Sequence, residues 1–205
     1  MVEERVGAGK KGALHGEWSV WFLDESGARL TPLVGKTWAP RGQTPDLLHN
    51  MGKWEKVGMI SAVGSNGKLH FQFKLYESIN QGDLIKFLKH LLRHQKGNLV
   101  VFWDGAQQHK GREVKEFLAK HKDRLRVEFL PPYGYDYNPD EGVWENLKWN
   151  RLRNFTPKNT KELVHGLRNG LRRIQRQPRL VRAFWRKTKL PRADVQRLLS
   201  QSGCL

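Results

Sequence analysis

The chain has 205 residues and a formal net charge of +17, with 37 Lys and Arg against 20 Asp and Glu. That balance calls for a polyanionic partner, nucleic acid before anything else. No apolar run approaches the ~20 residues needed to span a bilayer, and the start Met1-Val-Glu-Glu-Arg lacks the apolar core of a signal peptide. The single cysteine, Cys204, excludes internal disulfides and Cys-based zinc sites and fits a reducing, cytoplasmic setting.

In chain order, Met1–Gly16 is rich in Gly and Lys and reads as a flexible leader. Glu17–Asp24 alternates and is rich in Trp, Val and Phe, which predicts a strand. Glu25-Ser26-Gly27 is expected to turn, and Ala28–Val34 to return as an edge strand because Pro32 cannot donate to a ladder. Lys36–Pro45 reads as a loop. Lys56–Val63 and Lys68–Tyr76 form a predicted hairpin around Gly64-Ser65-Asn66-Gly67, whose Asn-Gly pair favours a tight turn. The period then changes: Ile79, Leu84, Phe87, Leu88, Leu91 and Leu92 make a helical stripe behind Asn80, a predicted N-cap. Leu99–Trp103 reads as a buried strand, Gly111–Lys122 as a helix and Leu125–Leu130 as a strand. The rigid loop Pro131–Tyr135 leads into a helix from Pro139 to about Arg153. Asn159–Arg176 and Pro178–Lys187 read as helices, as does Arg192–Ser200.

Antiparallel strands leading into β-α-β units imply an α/β fold, a mixed sheet with helices on both faces. This is the element order of ribonuclease-H-like nucleases. Basic helices follow: between Asn146 and Arg192 there are fifteen Lys or Arg and one acid, Glu162. A merely solvated face mixes signs, so this excess points to phosphate contact. The expected organisation is a leader (1–16), a core (17–153) and a basic helical region (154–205).

Three acids lie where a metal-dependent nuclease needs them. Asp24 ends the apolar run Trp18–Leu23, Asp104 ends Leu99–Trp103, and Glu141 lies at the helix start Asn138-Pro139-Asp140-Glu141. Hydrolysis of a phosphodiester needs an activated water and a stabilised leaving oxygen, which two Mg²⁺ ions about 3.5–4 Å apart supply. Mg²⁺ takes hard oxygen ligands such as these. Each acid also has a structural reading. Asp24 can initiate a turn, Asp104-Gly105 is a turn pair, and Glu141 can close a capping box with Asn138. On a helical wheel Glu141, Glu145 and Lys148 share one face, and Asp140 falls nearer the apolar side with Val143, Trp144 and Leu147. The wheel leaves Glu141 and Glu145 both open.

Four blocks together resemble the IS630 family of insertion-sequence transposases, within the Tc1/mariner DDE superfamily. They are Phe22-Leu23-Asp24-Glu25-Ser26-Gly27, Trp38-Ala39-Pro40-Arg41-Gly42, Phe102-Trp103-Asp104-Gly105-Ala106-Gln107-Gln108-His109, and Leu130-Pro131-Pro132-Tyr133 with Asn138-Pro139-Asp140-Glu141-Gly142-Val143-Trp144-Glu145-Asn146-Leu147-Lys148. The resemblance runs from about Glu17 to about Arg153. It implies a ribonuclease-H-like fold, catalytic and metal-ligating roles for Asp24, Asp104 and Glu141, and Mg²⁺ or Mn²⁺, two ions in all. It also implies double-stranded DNA as partner, both terminal inverted repeats and a TA-containing target, with a homodimer as the active complex. A bacterial, nucleoid-associated location follows. It favours Glu141 over Glu145. Gly105 stands where relatives often have Asn, and Gly134-Tyr135 where they have Ser-Pro. About sixteen residues precede the first strand, too few for the helix-turn-helix region that reads element ends. The expectation is the catalytic half of a split element, a truncated copy or an excised domain. An upstream helix-turn-helix polypeptide joined by frameshifting is then a partner.

Candidate DNA contacts are Arg41 in the loop, His109, Lys148, Arg151, Arg153, Arg172, Arg173 and Arg176. Trp38 can clamp DNA or pack; Trp103, Trp144, Trp149 and Trp185 read as packing residues. The leading expectation is a transposase catalytic domain that cleaves element ends and transfers strands. The competing ones are a non-catalytic DNA-binding remnant, another ribonuclease-H-like nuclease acting on hybrids or junctions, and a basic RNA-binding protein.

Overall fold

The computed structural model describes residues 18–47 and 55–190. The expected leader and the helix over Arg192–Ser200 lie outside them. Five strands form one sheet in the order β3-β2-β1-β4-β5. They are β1 (Trp18–Arg29), β2 (Lys56–Gly64), β3 (Leu69–Leu75), β4 (Asn98–Trp103) and β5 (Leu125–Phe129). β1, β2 and β3 pair antiparallel in sequence; β4 joins the other side of β1 in parallel, and β5 joins β4 in parallel. The helices are α1 (Gln81–His94), α2 (Arg112–Lys120), α3 (Pro139–Glu145), α4 (Thr160–Gln175) and α5 (Pro178–Lys187). No helix among the described residues is long and apolar enough to cross a membrane.

The sheet is covered on both faces, because alternate residues of the central strands are apolar in both directions. Trp21, Leu23, Val101 and Trp103 pack with Leu84, Phe87 and Leu88 of α1 and with Val114 and Phe117 of α2. Val20, Phe22, Val100 and Phe102 pack on the other face, with Val143, Trp144, Leu163, Leu167, Phe184 and Trp185 of α3, α4 and α5. The basic helices therefore share one core with the sheet. Local signals work as expected at several ends. Asn80 caps α1 in a full capping box with Asp83, and the Gly64–Gly67 turn closes on a 2.9 Å hydrogen bond from the Gly67 N–H to the Gly64 carbonyl. α1 is further tied to β3 by His70, which meets His90 Nε2 at 3.0 Å and Gln95 Nε2 at 2.7 Å.

Two expectations are corrected. Glu25-Ser26-Gly27 does not turn, and Ala28–Val34 is not a return strand. β1 runs unbroken to Arg29, because β2 pairs with it residue by residue from Trp21↔Gly64 to Arg29↔Lys56. A continuous partner strand overrides local turn propensity. Of the expected return strand only Leu33 pairs, in an isolated bridge to Arg153. Second, the helix expected from Pro139 to about Arg153 changes pitch at Asn146. A π-helical turn, Asn146–Arg151, replaces its second half.

Candidate active site

The parallel β1–β4 ladder sets the level of two acids. Its last pair is Phe22↔Phe102, so Asp24 and Asp104 each lie two residues beyond it. Residues two apart on a strand share a face. Phe22 faces α3, and so therefore does Asp24, while Asp104 follows directly on the end of β4. Asp24 is in the middle of a strand rather than at its end. It still borders open space, because β1 continues only alongside β2, and the β4 chain leaves the ladder.

α3 delivers the third acid. Asn138 is its N-cap, but the side chain accepts from the Asp140 N–H at 3.0 Å, and the Asn138 N–H bonds the Tyr135 carbonyl at 2.9 Å. The expected capping box is therefore absent, and the exposed Glu141 carboxylate is not used in a cap. Asp24, Asp104 and Glu141 line one cleft of about 640 Å³, along with Lys110, Asn138 and the loop Phe129–Tyr135. Glu145 is exposed one turn further along and does not line it.

Each aspartate is held by a donor from a neighbouring element. Trp144 Nε1 donates to Asp24 Oδ2 at 3.0 Å, so Trp144 is both core and support. Asp104 Oδ1 takes the Ala106 N–H at 3.0 Å and His109 Nδ1 at 2.8 Å. His109 Nε2 lies 3.0 Å from Glu25 Oε1. Glu25 thus reaches His109 from the opposite face of β1 to Asp24. The imidazole is 3% exposed and stacks on Trp103 with ring centroids 4.8 Å apart. Both ring nitrogens of His109 face carboxylates and the ring is buried, so the imidazole bridges Glu25 and Asp104.

The charge balance shows what the cleft lacks. Burial pushes the Asp24 carboxyl up to about 7, and the nearby Glu141 and Asp104 charges add to it. The hydrogen bond from His109 holds Asp104 below the usual carboxylate range, against partial burial. Burial lowers His109, but the bonds to Asp104 and Glu25 outweigh it and raise the ring to about 10. A cationic imidazole therefore bridges two carboxylates. A divalent cation among three mutually repelling carboxylates would reverse the penalty on Asp24. The donor set fits a hard cation such as Mg²⁺ or Mn²⁺. Among the described residues no group of three or more His, Cys, Asp or Glu is already placed to hold an ion, so Asp24, Asp104 and Glu141 share one cleft without closing on a single point.

Residues 19–164 match the profile of the DDE superfamily endonucleases. This chain belongs to that family. The DDE domain is 27% identical over 172 residues to the insertion element IS630 uncharacterized 39 kDa protein of Shigella sonnei. The match covers 79% of this chain and 47% of the relative, so the chain spans about half the length of the curated relative it matches. Its fold is that of the catalytic domain of Mos1 mariner transposase, with a TM-score of 0.59 and 14% identity over 100% of this chain and 94% of that one. It is also similar to the Mos1 paired-end complex with Mg, with a TM-score of 0.64 and 15% identity, covering 98% of this chain and 59% of that one.

The expected DNA contacts of the DDE domain are dispersed. Lys148, in the π-helical turn, bonds Ser26 Oγ at 2.8 Å, one strand repeat beyond Asp24. Arg151 bonds Asn146 Oδ1 at 3.2 Å. Arg153 is exposed and its stem packs against Gly35. Arg41 is exposed in the loop that also carries Trp38, which is 99% exposed and does not pack. Arg172, Arg173 and Arg176 are exposed at the end of α4, where Gln175 bonds the Leu69 carbonyl. Sequence reasoning missed Glu25, hidden in the expected turn, and Asp140, set aside as an apolar-side residue. It also missed Tyr133 and Tyr135 at the cleft. Tyr133 is 91% exposed and left-handed, with φ 61°. The signal for Asp140 was its place on the apolar side of the wheel, where an acid is out of character.

Proposed function

We propose that this chain is the catalytic domain of a cut-and-paste DNA transposase, with Asp24, Asp104 and Glu141 as its catalytic cation ligands. The carrying observation is that these three acids line one cleft, where burial first, and then the charges of Glu141 and Asp104, raise Asp24. Mg²⁺ or Mn²⁺, two ions in the full reading, supplies an activated water and a stabilised leaving oxygen. The chain's own residues do the rest. Trp144 orients Asp24, and His109, held by Glu25, orients Asp104. Such supports set ligand geometry and affinity. Water attack on an element end frees a 3′-OH, which then attacks target DNA.

Exposed Tyr133 and Tyr135 offer aromatic faces beside the cleft, suited to an unpaired base. Arg41, Lys148, Arg151, Arg153, Arg172, Arg173 and Arg176 serve phosphates, giving affinity with little sequence information. The likeness to a paired-end complex supports DNA ends as substrate, and the IS630 relative supports an insertion element as the setting. A second copy of the chain, terminal inverted repeats, a TA-containing target and a nucleoid location complete the proposal.

The test is nicking of supercoiled plasmid in Mn²⁺. Wild type nicks and Asp104→Ala does not rise above the metal-free control. Equal nicking by both would refute the assigned chemistry.

A further inference from the structure

Among the described residues, Asp140 is the one fully buried acid, with 0% exposure, and it lies on the face of the sheet that carries the site. Its Oδ1 accepts from the Ser61 hydroxyl at 2.5 Å, and its Oδ2 has no hydrogen-bond partner. A buried carboxyl with an unpartnered oxygen costs stability, and an apolar side chain in the first turn of α3 would fill the same space without that cost. Asp140 therefore calls for a reason other than packing.

Its partner supplies one. Ser61 is the ladder partner of Asp24 across β1 and β2. Paired residues lie on the same face, so Ser61 and Asp24 stand side by side under α3. The bond from Ser61 to Asp140 fixes the first turn of α3 at the level of Asp24. Trp144 fixes the next turn by its 3.0 Å bond to Asp24 itself. Glu141 follows Asp140 by one residue, about 100° around the helix axis. With Asp140 held down on the sheet, Glu141 projects into the cleft. α3 has only seven residues and gives way to a π-helical turn, so its own length does little to fix its rotation.

We propose that Asp140 is a positioning residue: the Ser61–Asp140 hydrogen bond sets the rotation of α3 and so aims Glu141 at Asp24 and Asp104. This rests on the reading of those three acids as cation ligands, and the experiment separates the two.

Mn²⁺ affinity of the full chain is measured by electron paramagnetic resonance, with thermal unfolding alongside, for wild type, Asp104→Ala, Ser61→Ala, Asp140→Ala and Asp140→Asn. Ser61→Ala and Asp140→Ala weaken Mn²⁺ binding by about 10-fold or more, the usual effect of removing support behind a ligand. Asp140→Asn keeps an acceptor for the Ser61 hydroxyl and restores wild-type affinity. A purely structural role would lower the unfolding temperature and leave the affinity of the folded protein unchanged, which would overturn the proposal. So would Asp140→Asn binding as weakly as Asp140→Ala, since the charge and not the bond would then matter. If Asp140→Ala does not fold, Ser61→Ala decides. Failure of Asp104→Ala to weaken binding would instead overturn the ligand assignment.

Discussion

Asp24 carries the clearest electrostatic signature in the cleft. Its carboxyl is raised to about 7 by burial and by Glu141 and Asp104, so it is largely protonated below that pH and ionised above it. A cation needs the ionised form, so binding must displace the proton. Mn²⁺ affinity is therefore expected to fall as pH drops from 8 to 6. Calorimetry at pH 6.5 in buffers of different ionisation heat should show net proton release. Affinity that is flat across that range would remove Asp24 from the ligand set. The His109 bridge makes a second prediction at this scale. Glu25→Gln replaces a charged partner 3.0 Å from His109 Nε2 with a neutral one. The loosened imidazole should weaken Mn²⁺ binding by about 10-fold, as for other supports behind a ligand. Unchanged affinity would reduce Glu25 to a packing role.

Strand β1 shows how one element places groups on two faces at once. Asp24 points toward α3 and Glu25 toward His109, so both supports of the site depend on an unbroken strand. β2, which pairs with it through Gly27↔Gly58, is packed closely at Gly58 against the backbone of residues 77–79. An added Cβ at Gly58 would stand 2.6 Å from the Glu77 carbonyl oxygen, a backbone atom with no rotamer to move. Gly58→Ala is expected to lower stability by about 1–3 kcal/mol, the usual cost of overpacking. Urea denaturation would show it as a lower midpoint with an unchanged slope; an unchanged midpoint would mean that the backbone at Glu77 yields freely.

Across the whole molecule, a strongly basic chain is built around a small acidic cleft. The net charge of +17 favours a polyanionic partner. Duplex affinity should fall steeply with salt, with a slope of about 0.9 per phosphate contact. Neutralising Arg172, Arg173 and Arg176 together should shallow that slope. Fluorescence anisotropy over a salt series would measure it, and an identical slope would show that the end of α4 is off the DNA path.

Periodicity, turn pairs and cap residues are local signals, and they determined what local physics can. The strand–helix order, the Asn80 cap, the Gly64–Gly67 turn and the span of α5 were legible residue by residue. The acids Asp24, Asp104 and Glu141 were legible as candidates because apolar runs and a helix start frame them. Local physics also misled where a distant partner had the last word. Glu25-Ser26-Gly27 has the composition of a turn, yet β2 holds it extended. Asn138 and Glu141 have capping-box spacing, yet the Asn138 N–H finds Tyr135 and the cap selects Asp140. Only the tertiary structure decided that Glu25 meets His109 and that Asp140 meets Ser61. Those pairings depend on strand register and helix rotation, which bring together residues such as Glu25 and His109, 84 positions apart, that no local pattern links.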